Sequence, residues 1–517
     1  MSSRAKDPRT GGTVSDDTAI IIVGERTRSK SELLARGRRA ATGLAGLGVR
    51  ENDAVALLLR NDFAFLEATH AANAIGAYAV PLNWHASPDE ITYMIDDSRP
   101  KVLVVHADLL EPVRHVIPAG CETLVVPNPD AGHPVAAIDG DQDWDRWLAA
   151  HAEWSRPPQP PRSSWIYTSG TTGRPKGVRR EPATPQQASA MRDLFQAVYG
   201  CREGMRAYVG GPLYHASPNA FARQGLALAD TLVLSSRFDP EDLLRQIERY
   251  RLTTLVMVPT FFVRLLKLPE SVRHQYDVSS LELVLHTGAP CPPDVKRAMI
   301  AWWGPVLVET YGGSETGIAT ICTSQDWLSR PGTVGRVAPG GTIKIFDEQR
   351  RELPPGTSGE IFARSPAYPD FNYHGRDADR RSVEIDGLIT CGDVGYLDTE
   401  GYLFLNDRKR DMIISGGVNI YPAEIEAVLQ GCPGIHDCAV FGIPDDEFGE
   451  RIYAAVQREA DAALTEDDVR SFVRERLAAF KVPREVVFHD TLPREESGKI
   501  FKRKLREPFW AGRSTRI

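Results

Sequence analysis

Apolar positions along the chain fall into three successive patterns, and each predicts a different kind of unit. Residues 31–48 place Leu33, Leu34, Ala40, Leu44 and Leu47 at helical spacing and end in glycine. A short apolar run follows at 55–59, and similar runs recur at 101–105, 231–234, 254–258 and 281–285, with amphipathic segments such as 239–250 between them. Such runs predict buried strands, and strands alternating with helices predict parallel sheets covered on both faces. From about Gly332 the pattern shifts to glycine, proline and short alternating strands at 341–346, 359–363 and 401–405, as in a small antiparallel barrel. After residues 407–410 a third pattern begins, with helix 422–430, strand 438–442, helix 466–479 and strand 485–489. It predicts a separate compact α+β domain. A proline cluster at 158–161 marks an earlier joint.

Composition narrows the class. At 517 residues the chain exceeds one core, and its 42% hydrophobic and 25% charged residues are those of an ordinary soluble globular protein. A net charge of -8 gives no support to nucleic-acid binding by broad phosphate neutralisation. Cys121, Cys201, Cys291, Cys322, Cys391, Cys432 and Cys438 are odd in number and contain no C-x-x-C pair, so neither a disulfide framework nor a zinc knuckle is expected. A reducing cytoplasm fits that usage. The polar start and the lack of any apolar run near ~18 residues predict neither export nor a transmembrane segment. The twelve histidines include no H-x-H or H-E-x-x-H, so no histidine-held metal is expected. The basic end, with Lys499, Lys502, Arg503, Lys504, Arg506, Arg513 and Arg516 against Glu507, reads as a solvated tail or one drawn to phosphates.

The densest chemistry lies at residues 167–177. Tyr167, Thr168, Ser169, Thr171 and Thr172 surround Gly170 and Gly173, and Pro175, Lys176 and Gly177 close the stretch. Glycines let backbone N–H groups turn toward an anion, the hydroxyls add donors, and Lys176 adds a full charge, which together suit a polyphosphate. The loop is not a Walker A element, because Pro175 stands where the second glycine of that motif belongs.

Further motifs follow in a fixed order: Pro212 to Ala216 around His215; Gly288, Ala289 and Pro290; Tyr311, Gly312, Gly313, Ser314, Glu315, Thr316 and Gly317; Cys391, Gly392 and Asp393; residues 407–426; and residues 492–500 around Lys499. With the glycine-rich loop, these make the chain resemble an acyl-CoA synthetase of the adenylate-forming superfamily, from about Thr27 to Leu505. The resemblance and the three patterns together imply an α/β fold. A large N-terminal domain of doubly wound sheets plus a small β-barrel would span 1–409, with sheet subdomains at about 1–160 and 161–335 and the barrel at about 336–409. It would be hinged to a small, mobile α+β C-terminal domain over 410–517.

The same resemblance implies the roles. Thr168, Ser169, Gly170, Thr171, Thr172, Gly173 and Lys176 would wrap the ATP phosphates, with Thr171 and Glu315 near Mg2+. Gly288, Ala289, Pro290, Tyr311, Gly312 and Ser314 would border the adenine, while Asp393 and Arg408 would hold the ribose. His215 would sit against the acyl carboxylate, although a lone histidine is more often a core residue. Lys499 would be the catalytic lysine, Arg410 the hinge, and Ser415, Gly416 and Gly417 the turn presented to coenzyme A.

Departures from the family pattern are modest. Ser314 and Cys391 stand at usual threonine positions, Gly313 replaces a residue that is commonly large, and Arg179, Arg180 and Glu181 replace the usual polar run after the loop. An acyl pocket of His215, Phe221, Phe261 and Gly313 would offer no charged partner, so an apolar carboxylic acid is expected, with Gly313 deepening the pocket. Fatty or bulky alicyclic acids of steroid type are favoured. The alternatives are a coumarate-like aryl acid, transfer to a separate carrier protein, or a non-catalytic nucleotide or acyl-adenylate sensor. The oligomeric state is not legible, and a homodimer is the one assembly entertained.

Overall fold

The computed structural model describes residues 18–128, 142–157, 159–160, 162–168, 175–408, 411–415, 418–445, 447–460, 462–494 and 500–511. One sheet is parallel throughout and lies near the start of the chain. Its strands run in the order Tyr78–Pro81, Ala54–Leu58, Val102–His106, Glu122–Val126 and Gln142–Asp143. Helix Lys30–Gly46 begins where Ser29 accepts a hydrogen bond from the Glu32 N–H, which satisfies one of the free donors of its first turn. Helix Phe63–Ile75 stops at Gly76, whose φ of 83° closes the helix in the left-handed region.

The larger sheet starts parallel and ends antiparallel. Its parallel half joins Ala229–Leu234, Met205–Val209, Thr254–Met257, Leu283–His286 and Leu307–Gly313. The early strand Ile20–Val23 pairs in parallel with Ala229–Leu234, so the first hairpin belongs to this sheet and not to the expected 1–160 unit. On the other side the ladder continues antiparallel through Gly317–Thr323, Thr333–Val337, Tyr402–Arg408, Leu388–Leu397, Gly359–Arg364 and Thr342–Phe346. The strands expected as a small barrel are therefore hydrogen-bonded in series with the parallel sheet.

Two cores cover the parallel half. One contains Leu194, Phe195, Val198, Tyr199, Phe221 and Leu226 from helices Pro185–Tyr199 and Ala216–Leu228. The other contains Leu243, Ile247, Phe261, Phe262, Met299 and Trp303 from helices Pro240–Tyr250, Pro259–Leu266 and Pro293–Trp303. Alternate strand residues feed opposite cores: Val256 and Leu285 the first, Leu255, Met257 and Val284 the second.

A small sheet of Phe371–Tyr373, Lys176–Arg180 and Ile166–Thr168 carries the glycine-rich loop between two of its strands. The last unit pairs Val418–Ile420, Ile413–Ser415, Gly449–Arg458, Ile435–Asp445 and Glu485–His489, and helices Pro422–Gln430 and Glu466–Arg474 cover it. It touches the rest of the chain where the Lys267 ammonium donates to His436 Nδ1 at 2.9 Å. Among the described residues no helix is long and apolar enough to cross a membrane.

Candidate active site

The loop is held by a short antiparallel hairpin in which Tyr167 lies opposite Gly177 and Thr168 opposite Lys176. Gly177 is obligatory, because a Cβ there would stand 2.1 Å from Trp165 Nε1. Ser169, Gly170, Thr171, Thr172 and Gly173 lie outside the described residues. Tyr167 does not face a ligand: its hydroxyl donates to Asp97 Oδ2 at 2.7 Å, tying the loop to helix Pro88–Ser98. Burial and Asp97 hold that phenol well above its ordinary range. Lys176, 6% exposed, places its ammonium 3.2 Å from Asp379 Oδ2 and 5.1 Å from the centre of the Tyr373 ring.

At the end of strand Leu307–Gly313 a bulge between Tyr311 and Gly312 turns the chain toward the loop. Gly312 is needed there, since a Cβ would lie 2.0 Å from the Gly317 carbonyl oxygen. The turn presents Glu315, whose Oε1 accepts from the Tyr373 hydroxyl at 3.0 Å and from Thr168 Oγ1 at 3.4 Å. Residues 147 positions apart are thus in hydrogen-bond contact. Both donors are neutral. Burial and Glu315 push the Tyr373 phenol far up, so it remains a donor.

Tyr311 donates to Asp393 Oδ2 at 2.8 Å. Asp393 follows Gly392, which adopts φ 78°, and stands opposite Arg408 in the ladder; the Arg408 side chain lies outside the described atoms. The adjoining strand ends at His286, and Thr287 Oγ1 donates to the Thr310 carbonyl at 2.8 Å, which draws Gly288, Ala289 and Pro290 alongside the Tyr311 turn. The expected adenine residues therefore lie at the carboxyl ends of the adjacent strands Leu283–His286 and Leu307–Gly313, where open α/β sheets bind ligands, and the Tyr311 hydroxyl ties them to Asp393 on the antiparallel strand Leu388–Leu397.

The expected acyl lining does not converge in the same way. His215 precedes helix Ala216–Leu228 without capping it through its side chain, and its ring lies 4.6 Å from that of Tyr214. Phe221 stacks on Tyr199 at 5.7 Å, Tyr199 stacks on Phe195 at 4.7 Å, and the Tyr199 and Ser217 hydroxyls are 3.1 Å apart. Phe261 belongs to the opposite core and lies flat on Phe238 at 3.7 Å, so it fills that core and does not share a wall with Phe221. Gly313 does not deepen a pocket either. The space its Cβ would take is held by Cys391 Sγ, 2.4 Å from that position.

In the last unit Ser415 pairs with Val418 and Gly449, while Gly416, Gly417, Arg410 and Lys499 lie outside the described residues. Arg503, just beyond them in helix Lys502–Trp510, lines one cleft together with Pro175 at the end of the loop and with Asp89, Glu90, Tyr93 and Asp96. Arg503 thus shares a cleft with Pro175. Sequence reasoning missed Tyr373, Asp97 and Arg180. Arg180 was noted only as a departure, yet its guanidinium bonds the Ser314 and Glu315 carbonyls.

A family model described as AMP-binding enzyme matches residues 9–368, and one described as AMP-binding enzyme C-terminal domain matches residues 424–499. The chain is 34% identical to a feruloyl-CoA synthase of Amycolatopsis sp, covering 96% of this chain and 97% of that protein. It is 30% identical to the fatty acid–[acyl-carrier-protein] ligase ScoC of Streptomyces coeruleorubidus, covering 97% and 95%. Among solved structures, ATP-bound MatB from Rhodopseudomonas palustris superposes with a TM-score of 0.82 at 28% identity, covering 96% of this chain and 97% of that one.

Proposed function

We propose, from the premise that this chain belongs to the AMP-binding enzyme family, that it activates a carboxylic acid with ATP to an acyl-adenylate and passes the acyl group to coenzyme A. As an AMP-forming acyl-CoA synthetase it would release AMP and pyrophosphate. The observation that carries this reading is the meeting of Thr168, Glu315, Tyr373, Tyr311 and Asp393, from four separate segments, beside the glycine-rich loop.

The chemical problem is electrostatic. A carboxylate must approach the α-phosphorus of ATP, and at ~4 Å with an effective dielectric near 20 each like-charge pair repels by about 4 kcal/mol. The residues present fit a magnesium ion. Among the described residues Glu315 accepts from the neutral hydroxyls of Thr168 and Tyr373, which leaves its charge uncompensated there and suits a hard cation shared between one carboxylate and substrate phosphates. Bound there with Thr171, magnesium would supply charge neutralisation at the phosphates. Lys176 would stand at one end of the phosphates. Lys499 would bridge the carboxylate and α-phosphate and orient an in-line displacement. Asp393 would accept the ribose hydroxyls, with Arg408 beside it, and the face of Tyr311 would meet the adenine. His215 would lie against the acyl carboxylate.

The second step needs a thiol where the lysine stood. A swivel of the C-terminal domain about Arg410 would withdraw Lys499 and present Ser415, Gly416 and Gly417 to the pantetheine arm, where glycine leaves room for a narrow thread.

For the acid, the apolar neighbours of Phe221 support an apolar substrate, and we favour fatty or bulky alicyclic acids. The aryl-acid reading has its own support in the stack of Phe195, Tyr199 and Phe221 with its buried hydroxyl pair. Pyrophosphate release with ATP and magnesium across short-chain, fatty, alicyclic and hydroxycinnamic acids, each offered coenzyme A or a holo carrier protein, decides. Release confined to acetate and propionate would overturn the apolar pocket; product formed only on the carrier would overturn the coenzyme A step; no AMP with any acid would favour a sensor.

A further inference from the structure

Arg180 occupies an unusual place for a charged residue. It ends strand Lys176–Arg180, which leads directly out of the glycine-rich loop, and is 5% exposed. No carboxylate lies within ion-pair distance of it among the described residues. Its Nη1 donates to the Pro369 carbonyl at 2.7 Å, and its Nη2 donates to the carbonyls of Ser314 at 2.6 Å and Glu315 at 2.9 Å. Tyr368 and Phe371 lie against the guanidinium, with ring centres 4.9 and 5.7 Å away. Burial pushes its pKa down to about 10, which leaves it protonated at neutral pH.

Burying a cation without a carboxylate partner is costly, and an apolar side chain of similar length would fill the same volume at lower cost. The charge is spent on backbone instead. Two of the three carbonyls belong to the turn that presents the Glu315 carboxylate. The rest of that carboxylate's support comes from the same small sheet: Tyr373 sits on the strand paired with Arg180, and Thr168 on the strand paired with Lys176. A single three-stranded sheet therefore carries the loop at the Lys176 end of its central strand and meets the Glu315 turn at three points: Thr168 at that same end, Tyr373 opposite Val178, and the Arg180 guanidinium on the main-chain carbonyls at the far end.

We propose that Arg180 is a positioning residue that fixes the Glu315 carboxylate relative to strand Lys176–Arg180, so that it governs affinity for the magnesium–nucleotide pair and not for nucleotide alone. The inference rests on the reading of Glu315 as a magnesium-binding carboxylate. A residue with a merely structural role would weaken nucleotide binding equally with and without metal. Arg180 moves only the metal-dependent part.

The test is ATP binding by calorimetry with the full-length chain, in excess magnesium and in EDTA. The expected results are as follows. The wild-type chain binds ATP more tightly with magnesium, and Glu315→Gln abolishes that gain. Arg180→Met, which keeps the bulk and removes the donors, lowers the magnesium gain by ~10-fold or more, the scale of losing charge-assisted hydrogen bonds. Its affinity in EDTA changes by less than about 3-fold, within the scatter of a peripheral substitution. Arg180→Lys retains the charge without the fork and recovers part of the gain. Should Arg180→Met fail to fold, Tyr373→Phe removes the brace on the carboxylate itself and should lower the gain in the same direction. Equal losses with and without magnesium, or an unchanged gain in Arg180→Met, would overturn the proposal. A wild-type chain that gains nothing from magnesium while Glu315→Gln behaves identically would instead overturn the metal reading beneath it.

Discussion

Cys391 and Gly313 fit one another as sulfur and vacancy. A Cβ on residue 313 would meet Cys391 Sγ at 2.4 Å, so Gly313→Ala should destabilise the chain by ~1–3 kcal/mol, the usual range for overpacking. Cys391→Ala in the same chain should restore most of the loss. Thermal unfolding of the two single variants and the double variant checks this, and a shift in acid chain-length preference with no stability change would restore the pocket-deepening view. Lys296 and Glu309 form a second coupled pair, 2.5 Å apart and closed off from solvent. Burial pushes the Glu309 carboxyl up while Lys296 opposes it. Lys296→Met should cost ~3–5 kcal/mol by stranding the carboxylate, and adding Glu309→Leu should recover much of it; additive losses in denaturant titration would contradict the coupling. At this scale the sequence revealed residues whose chemistry is local: Thr168, Glu315, Tyr311 and Asp393 were legible as motif members and do meet. Arg180 and Tyr373 were not legible as partners, because their function lies in contacts 135 and 58 residues away. Phe261 misled because a phenylalanine reads alike in a core and in a pocket wall.

Elements were legible where capping and periodicity are strong. Helix 239–250 appears as Pro240–Tyr250 behind its Asp239 cap, and helix 31–48 as Lys30–Gly46 behind Ser29. Pairing was less legible. The partner of Ile20–Val23 is about two hundred residues downstream, and nothing local specifies a parallel register. Strand Leu283–His286 carries a consequence for pH. His286 is wholly buried, edge-on to Phe262 at 5.3 Å, and among the described residues its two ring nitrogens have no hydrogen-bond partner. Burial, reinforced by the nearby Lys296 charge, holds its pKa well below 6.5. Above that value the imidazole is neutral in both folded and unfolded chains and adds no pH dependence. Below it the unfolded chain takes up a proton that the folded chain refuses, so stability falls as pH drops, by ~1.4 kcal/mol per unit for one such group. Urea unfolding between pH 8 and 5 should show that fall, and His286→Leu should flatten it; parallel slopes in both chains would assign the acid sensitivity elsewhere.

At the scale of the molecule, the two sheets and the last unit matter for what they bring together. The glycine-rich loop, the Glu315 turn and the Asp393 strand are built by the first four hundred residues, whereas the lysine expected to act on the α-phosphate belongs to the last hundred. They meet at polar contacts, with Lys267 on His436 at one point and Arg503 in a cleft with Pro175, Asp89, Glu90 and Asp96 at another. Polar contacts of this kind between units are compatible with the relative motion that the proposed two-step reaction calls for. Lys499→Ala separates those steps most directly. Formation of acyl-adenylate from acid and ATP should slow by at least ~10²-fold, the scale of losing one preorganised charge. Thioester formation from synthetic acyl-adenylate and coenzyme A should proceed at the wild-type rate. Equal slowing of both half-reactions would contradict a lysine that serves only the first.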